Sequence, residues 1–242
     1  MPWPVFLFTC GGFGEIPCGV NPWDWTGRAK IRADPHRLCR ARSSAASAIG
    51  GKRLPKIPVL PPMKLLIDTC VLFPTVMRHA LLGACKIQGW TPLWSERILE
   101  EWAHSARKLG PEGEIQARGE IALLKADWPN ASVSWPAEME RQVWLPDEND
   151  RHVLAAAIAG SADMIVTLNA RDFPRGYLRE EGLDRIDPDA LLMQTFLDHP
   201  EPTAQLAEDI LQVANTFQGG EWTKRALFKK ARLPRFAKAM AD

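Results

Sequence analysis

Lys64-Leu65-Leu66-Ile67-Asp68 is a short apolar run closed by a carboxylate. An unbroken apolar stretch of this length suits a strand buried on both faces, as in the middle of a parallel sheet. Outward from it the chain alternates as an α/β domain does. Residues 75–88 read as a helix and Gly89-Trp90-Thr91-Pro92-Leu93-Trp94 as a second strand. Ser95 is placed to cap a third element, in which Ile98, Leu99, Trp102 and Ala106 recur at helical spacing. Residues 114–127 read as another helix, broken at Trp128-Pro129. Val143-Trp144-Leu145 resembles a strand end, and Asn149 or Asp150 starts a helix over 151–160 whose Leu154, Ala155, Ala156, Ala157 and Ile158 suit close packing on a sheet. Asp163-Met164-Ile165-Val166-Thr167 is the next strand. From Pro188 the pattern is helical and amphipathic over 188–198, 203–216 and 222–231.

Before Met63 the chain changes character. Residues 1–62 hold nine basic side chains and three acidic ones, and end in Pro55-Lys56-Ile57-Pro58-Val59-Leu60-Pro61-Pro62, which suits neither helix nor central strand. This basic, Pro/Gly-rich segment is expected to be disordered, or to reflect a start site placed upstream of Met63; an RNA-touching arm is the rival reading. The expected organisation is therefore a segment 1–62, an α/β domain 63–187 and a helical C-terminal extension 188–242. Over all 242 residues the formal charge is +1, which excludes a uniformly basic nucleic-acid coat and an acidic disordered tail. No apolar run approaches the roughly 18 residues of a membrane span, so no membrane association is expected. Five cysteines without a CxxC pair argue against a disulfide framework or a structural zinc site, and point to the cytoplasm.

The acids fall where a parallel sheet places its ligands, outside the carboxyl ends of the strands. Asp68 closes the first strand, Asp147 and Asp150 follow Val143-Trp144-Leu145, and Asp172 lies in the loop after Val166-Thr167. Glu100 or Glu101, on the helix after the second strand, adds a further acid. Each has an ordinary alternative: Asp68 and the 147–150 cluster as helix caps, Asp172 as a turn residue, either glutamate as a solvated helix face. Taken jointly they describe a site, because converging carboxylates repel unless a hard cation holds them. Mg²⁺ or Mn²⁺ prefers oxygen ligands, and two such ions can clamp the attacking and leaving oxygens of a phosphodiester.

Four blocks carry a family resemblance: Leu65-Leu66-Ile67-Asp68-Thr69-Cys70-Val71-Leu72, Ser95 to Glu101, Asp147 to Ala157, and Ile165 to Pro174. In this order they resemble a PIN domain, and the longer chain with its C-terminal helices is similar to VapC-type toxins. The resemblance implies a PIN-like three-layer α/β sandwich with a central parallel sheet, and an endoribonuclease dependent on Mg²⁺ or Mn²⁺. It implies that Asp68, Asp150 and Asp172 bind metal with Asp147 as an additional ligand. Glu101, with Glu100 as the other register, matches the family's helix glutamate among the catalytic acids. Thr167 and Asn169 match polar positions that hold the loop and its acids. The implied partners are an RNA substrate, a cognate antitoxin protein and a second copy of the chain.

Arg151, Arg171 and Arg175 are the basic residues nearest this site, and Lys229 and Lys230 belong to a cationic run near the C-terminus; all five are candidate RNA contacts. Trp94, Trp102, Trp135 and Trp144 are read as core or interface residues. His152 is read as structural and Cys70 as a small packed side chain. The rival functions are a non-catalytic PIN scaffold that binds RNA or a protein, and a PIN nuclease of RNA processing.

Overall fold

The computed structural model describes residues 62–218 and 221–241. Apart from Pro62, the expected disordered segment lies outside the described residues.

Strand β1, Lys64–Ile67, runs through the centre of the sheet, with Leu65, Leu66 and Ile67 fully buried. A short helix α1, Thr69–Leu72, follows, and then α2, Thr75–Gln88. Gly89 ends α2 in the left-handed region at φ 70°, donating its N–H to the Cys85 carbonyl, a conformation that glycine adopts without strain. Next come β2, Thr91–Ser95, and α3, Glu96–Ala106, whose first turn is capped by Ser95 Oγ accepting from the Ile98 N–H at 3.2 Å. Helix α4, Gly113–Asp127, stops at Trp128 as the sequence predicts.

The third strand differs from the expectation. Strand β3 is Ser132–Val133, paired in parallel with β2, whereas Val143-Trp144-Leu145 belongs to no ladder and follows helix α5, Ala137–Gln142. The misreading has a physical cause. Val143 and Leu145 are buried and Trp144 is half-exposed, which reproduces the alternation of a half-buried strand without the backbone pairing. A two-residue strand of Ser and Val carries no comparable signal.

A 3₁₀ turn, Glu148–Asp150, leads into α6, Arg151–Ala159, which returns the chain to β4, Met164–Val166. Helix α7, Arg175–Glu180, then precedes β5, Asp184–Ile186. The sheet order is β3-β2-β1-β4-β5 and every pairing is parallel. This is a PIN-like α/β sandwich with flanking helices. The strand order reverses beside β1, which neighbours β2 on one side and β4 on the other, so the switch point that binds ligands in such sheets lies beyond the carboxyl ends of β1 and β4.

The C-terminal helices are α8 (Pro188–Asp198), α9 (Pro200–Gln218), α10 (Lys224–Lys230) and α11 (Pro234–Ala239). They belong to the same compact unit as the sheet, and α8 and α9 both pack on α2. Gly83 allows that approach: a Cβ there would stand 2.4 Å from Leu206 Cδ1. Helix α11 is the element that the cationic run conceals. Its Phe236 packs edge to face on Phe228 at 5.0 Å, both fully buried. Asp189 accepts from the Arg235 N–H at 3.0 Å and the Phe236 N–H at 2.9 Å, fixing the start of α11 to α8.

Candidate metal centre

Asp68 stands at the switch point, its N–H donating to the Val166 carbonyl of β4 at 3.1 Å. Its side chain makes no helix-capping bond to α1, and only 9% of the residue is exposed. Oδ2 accepts instead from Thr167 Oγ1 at 2.7 Å and from the Cys70 thiol at 3.0 Å. Two protein donors aimed at one oxygen hold the carboxylate in a fixed orientation. Burial, with Asp68 next to it, pushes the Cys70 thiol well above its ordinary range, so Cys70 serves as a donor and not as a thiolate.

Asp147, Asp150 and Asp172 come together, with ligand oxygens all within 4.8 Å of one another. They reach this point from different elements. Asp147 precedes the 3₁₀ turn and caps it, accepting from the Asn149 N–H at 2.9 Å; Asp150 ends that turn at the start of α6; Asp172 lies in the loop after β4, where Asn169 Nδ2 donates to its Oδ2. Asn169 is itself tied down, its N–H donating to Thr167 Oγ1 at 2.9 Å. Thr167 and Asn169 thus connect Asp68 to Asp172. Burial raises the Asp150 carboxyl to about 6, helped by the charges of Asp68, Asp147 and Asp172 in that order. Asp68, Asp147 and Asp172 thus all bear on Asp150. Two of them come from strand ends and two from the turn before α6, in place of the three strand ends expected.

The two adjacent glutamates part company. Glu100 faces α4, where it accepts two hydrogen bonds from Arg118, at 2.8 and 3.0 Å. Glu101 faces α1 and α6. Its Oε2 accepts from Thr69 Oγ1 at 2.9 Å, and its Oε1 lies 2.9 Å from His152 Nε2 and 3.6 Å from Arg97 Nε. Burial pushes its carboxyl up, but the His152 hydrogen bond and charge, Thr69 and Arg97 outweigh burial and hold it below the usual glutamate value.

His152 and Arg97 are the residues that sequence reading did not assign to the site. His152 is 1% exposed, with Nδ1 buried and without a hydrogen-bond partner among the described residues. Its only sequence signal was its place two residues after Asp150. Arg97 reaches Glu140 at 2.8 Å and the Asn149 carbonyl at 3.4 Å besides Glu101, joining α3, α5 and the acidic turn.

The basic candidates are dispersed. Arg151 is held by Glu148 at 2.8 Å, and Arg175 by both oxygens of Asp184, at 2.5 and 2.6 Å. Arg171 is exposed on the Asp172 loop. Lys229 and Lys230 are exposed on α10, which packs on α9 and α11, and Lys230 Nζ lies 4.7 Å from the Trp222 ring.

All donors at this centre are oxygens, clustered closely enough to repel and partly removed from solvent, which is the chemistry that accepts Mg²⁺ or Mn²⁺. Fold and site together define a parallel α/β sandwich with an acidic centre at its switch point. Residues 64–171 match the family model described as PIN domain. The match ends one residue before Asp172. No curated protein and no solved structure matches the chain. PIN domains are typically metal-dependent nucleases, and PIN nucleases bind RNA. Among the described residues no helix is long and apolar enough to cross a membrane.

Proposed function

We propose that this protein is a metal-dependent endoribonuclease that hydrolyses RNA phosphodiester bonds, acting as the toxin of a type II toxin–antitoxin pair. The convergence of Asp147, Asp150 and Asp172 within 4.8 Å, close enough to Asp68 for its charge to raise Asp150, is the observation that carries the nuclease reading. The similarity of the chain, with its C-terminal helices, to the longer VapC-type toxins supports the toxin role.

Asp68, Asp150 and Asp172, with Asp147, would hold Mg²⁺ or Mn²⁺. When bound, such an ion supplies a Lewis acid that activates attacking water and offsets charge growing on the scissile phosphate. The protein's own part is orientation. Thr167 and Cys70 fix Asp68, Asn169 fixes Asp172, and His152 with Thr69 holds Glu101 and favours its ionised form.

The test is incubation of the purified chain, wild type and Asp68→Asn, with a labelled structured RNA in Mg²⁺, Mn²⁺ or EDTA. The expected result is cleavage that needs the ion and drops at least about 100-fold in the variant. Equal cleavage by Asp68→Asn would sink the site assignment. For the toxin role, induced expression should arrest growth, and co-expression of a protein encoded beside it should relieve the arrest; growth unaffected by an active enzyme would favour RNA processing.

A further inference from the structure

Trp144 and Tyr177 stack with ring centroids 4.2 Å apart and planes tilted by 45°, yet remain 49% and 41% exposed. Their backbones are anchored. Trp144 sits between the buried Val143 and Leu145, and Tyr177 precedes the buried Leu178 on α7. The stack joins the two segments that carry acids of the candidate centre. Trp144 stands three residues before Asp147, and α7 begins three residues after Asp172. Three residues of chain span at most about 11 Å, so Trp144 and the start of α7 lie within that reach of Asp147 and Asp172.

Charge here is nearly balanced. Arg171, Arg175 and Arg179 are exposed on the chain around Tyr177, Arg175 being paired with Asp184, and Glu180 and Glu181 are exposed on the same stretch. A polyanion gripped here needs a contribution other than charge, and two half-open rings offer one. Each nucleobase presents a π-face, and stacking on an aromatic side chain is tolerant of sequence. Bases within an A-form duplex are not available for it.

We infer that the Trp144–Tyr177 pair is a stacking platform for an unpaired nucleobase of the RNA strand whose backbone enters the acidic centre. The inference deepens the nuclease reading and rests on it.

The test measures binding of the full chain by fluorescence anisotropy, with Ca²⁺ in place of Mg²⁺ so that the strand stays intact. The probes are a labelled single-stranded RNA of about ten nucleotides, a ribose-phosphate oligomer of the same length without bases, and the corresponding duplex. Wild type should bind the base-bearing strand at least about tenfold tighter than the baseless one. Trp144→Leu with Tyr177→Leu should bring that ratio close to one, and Trp144→Phe with Tyr177→Phe should keep most of it. A wild type that ignores the bases overturns the inference whatever the variants do, as does a leucine pair that keeps the preference. If the leucine pair changes the sedimentation of the chain and leaves the preference intact, the rings are a protein contact and the inference is wrong. Failure of the nuclease reading looks different: base preference with no ion-dependent cleavage retains the platform and removes the enzyme, and cleavage without base preference does the reverse.

Discussion

Asp150 takes up its proton at about 6 in the fold, against 3.8 for an ordinary aspartate, because burial and three neighbouring carboxylates disfavour its charge. The metal-free fold therefore binds more protons than the unfolded chain between these values, so its stability falls as pH rises through 6 and is recovered below 4. Solvent screening at this half-exposed position keeps the effect to about 1 kcal/mol. In EDTA, Asp150→Asn should melt about 2–4 °C above wild type at pH 8, with the difference shrinking through pH 5 and closing below pH 4. A difference that does not change with pH means the charge of Asp150 is not what limits the apo fold. His152 Nε2 lies 2.9 Å from Glu101 Oε1, and on the proposed reading it acts on the metal centre through that carboxylate. His152→Gln should keep the far-ultraviolet spectrum and weaken Mn²⁺ binding by about 10–100-fold in calorimetric titration; unaltered affinity would show that Glu101 takes no part in holding the ion.

Among the elements, α2 and α4 are joined by an ion pair whose arginine is buried and whose glutamate is partly exposed. Arg78 is 3% exposed; it donates to Glu120 and to the Leu72 carbonyl at 2.6 Å, and its guanidinium lies 4.3 Å from the centre of the Trp102 ring. Glu120→Gln leaves that buried cation without its counter-charge and should cost about 2–3 kcal/mol in urea unfolding. Replacing both partners, Arg78→Met with Glu120→Leu, should recover part of the loss; a double variant worse than the single would show that the pair stabilises beyond mutual neutralisation. This pair also marks the limit of sequence reading. The acids of the centre were legible because residue type and strand-end position carry their chemistry, and Ser95 because a cap is local. Arg78–Glu120, Arg97 and His152 depend on which elements meet in space, and neighbouring residues do not encode that. Val143-Trp144-Leu145 shows the converse error, where burial alternates without a partner strand. Helix α11 was hidden because its apolar Phe236, Ala237 and Met240 are spaced among lysines and arginines.

At the scale of the whole molecule, the boundary drawn at residue 187 cuts through a packed interior. Leu191, Leu192, Leu206, Ala207 and Ile210 are all buried, on helices that cover α2. A chain ending at Ile186 would expose that face and should give no cooperative melting transition by differential scanning calorimetry. A sharp transition near that of the full chain would establish 63–187 as an independent domain with a removable helical appendage.

The sheet itself has a bearing on how other molecules approach. Its outer strands are two residues long at β3 and three at β5. Edges so short offer almost no backbone ladder to an incoming extended peptide, and such brevity is a recognised guard against fibrillar self-association. Among the described residues the sheet therefore gives strand addition little purchase. A protein that masks this one is expected to do so through helix and loop surfaces, by side-chain fit more than by extending the sheet.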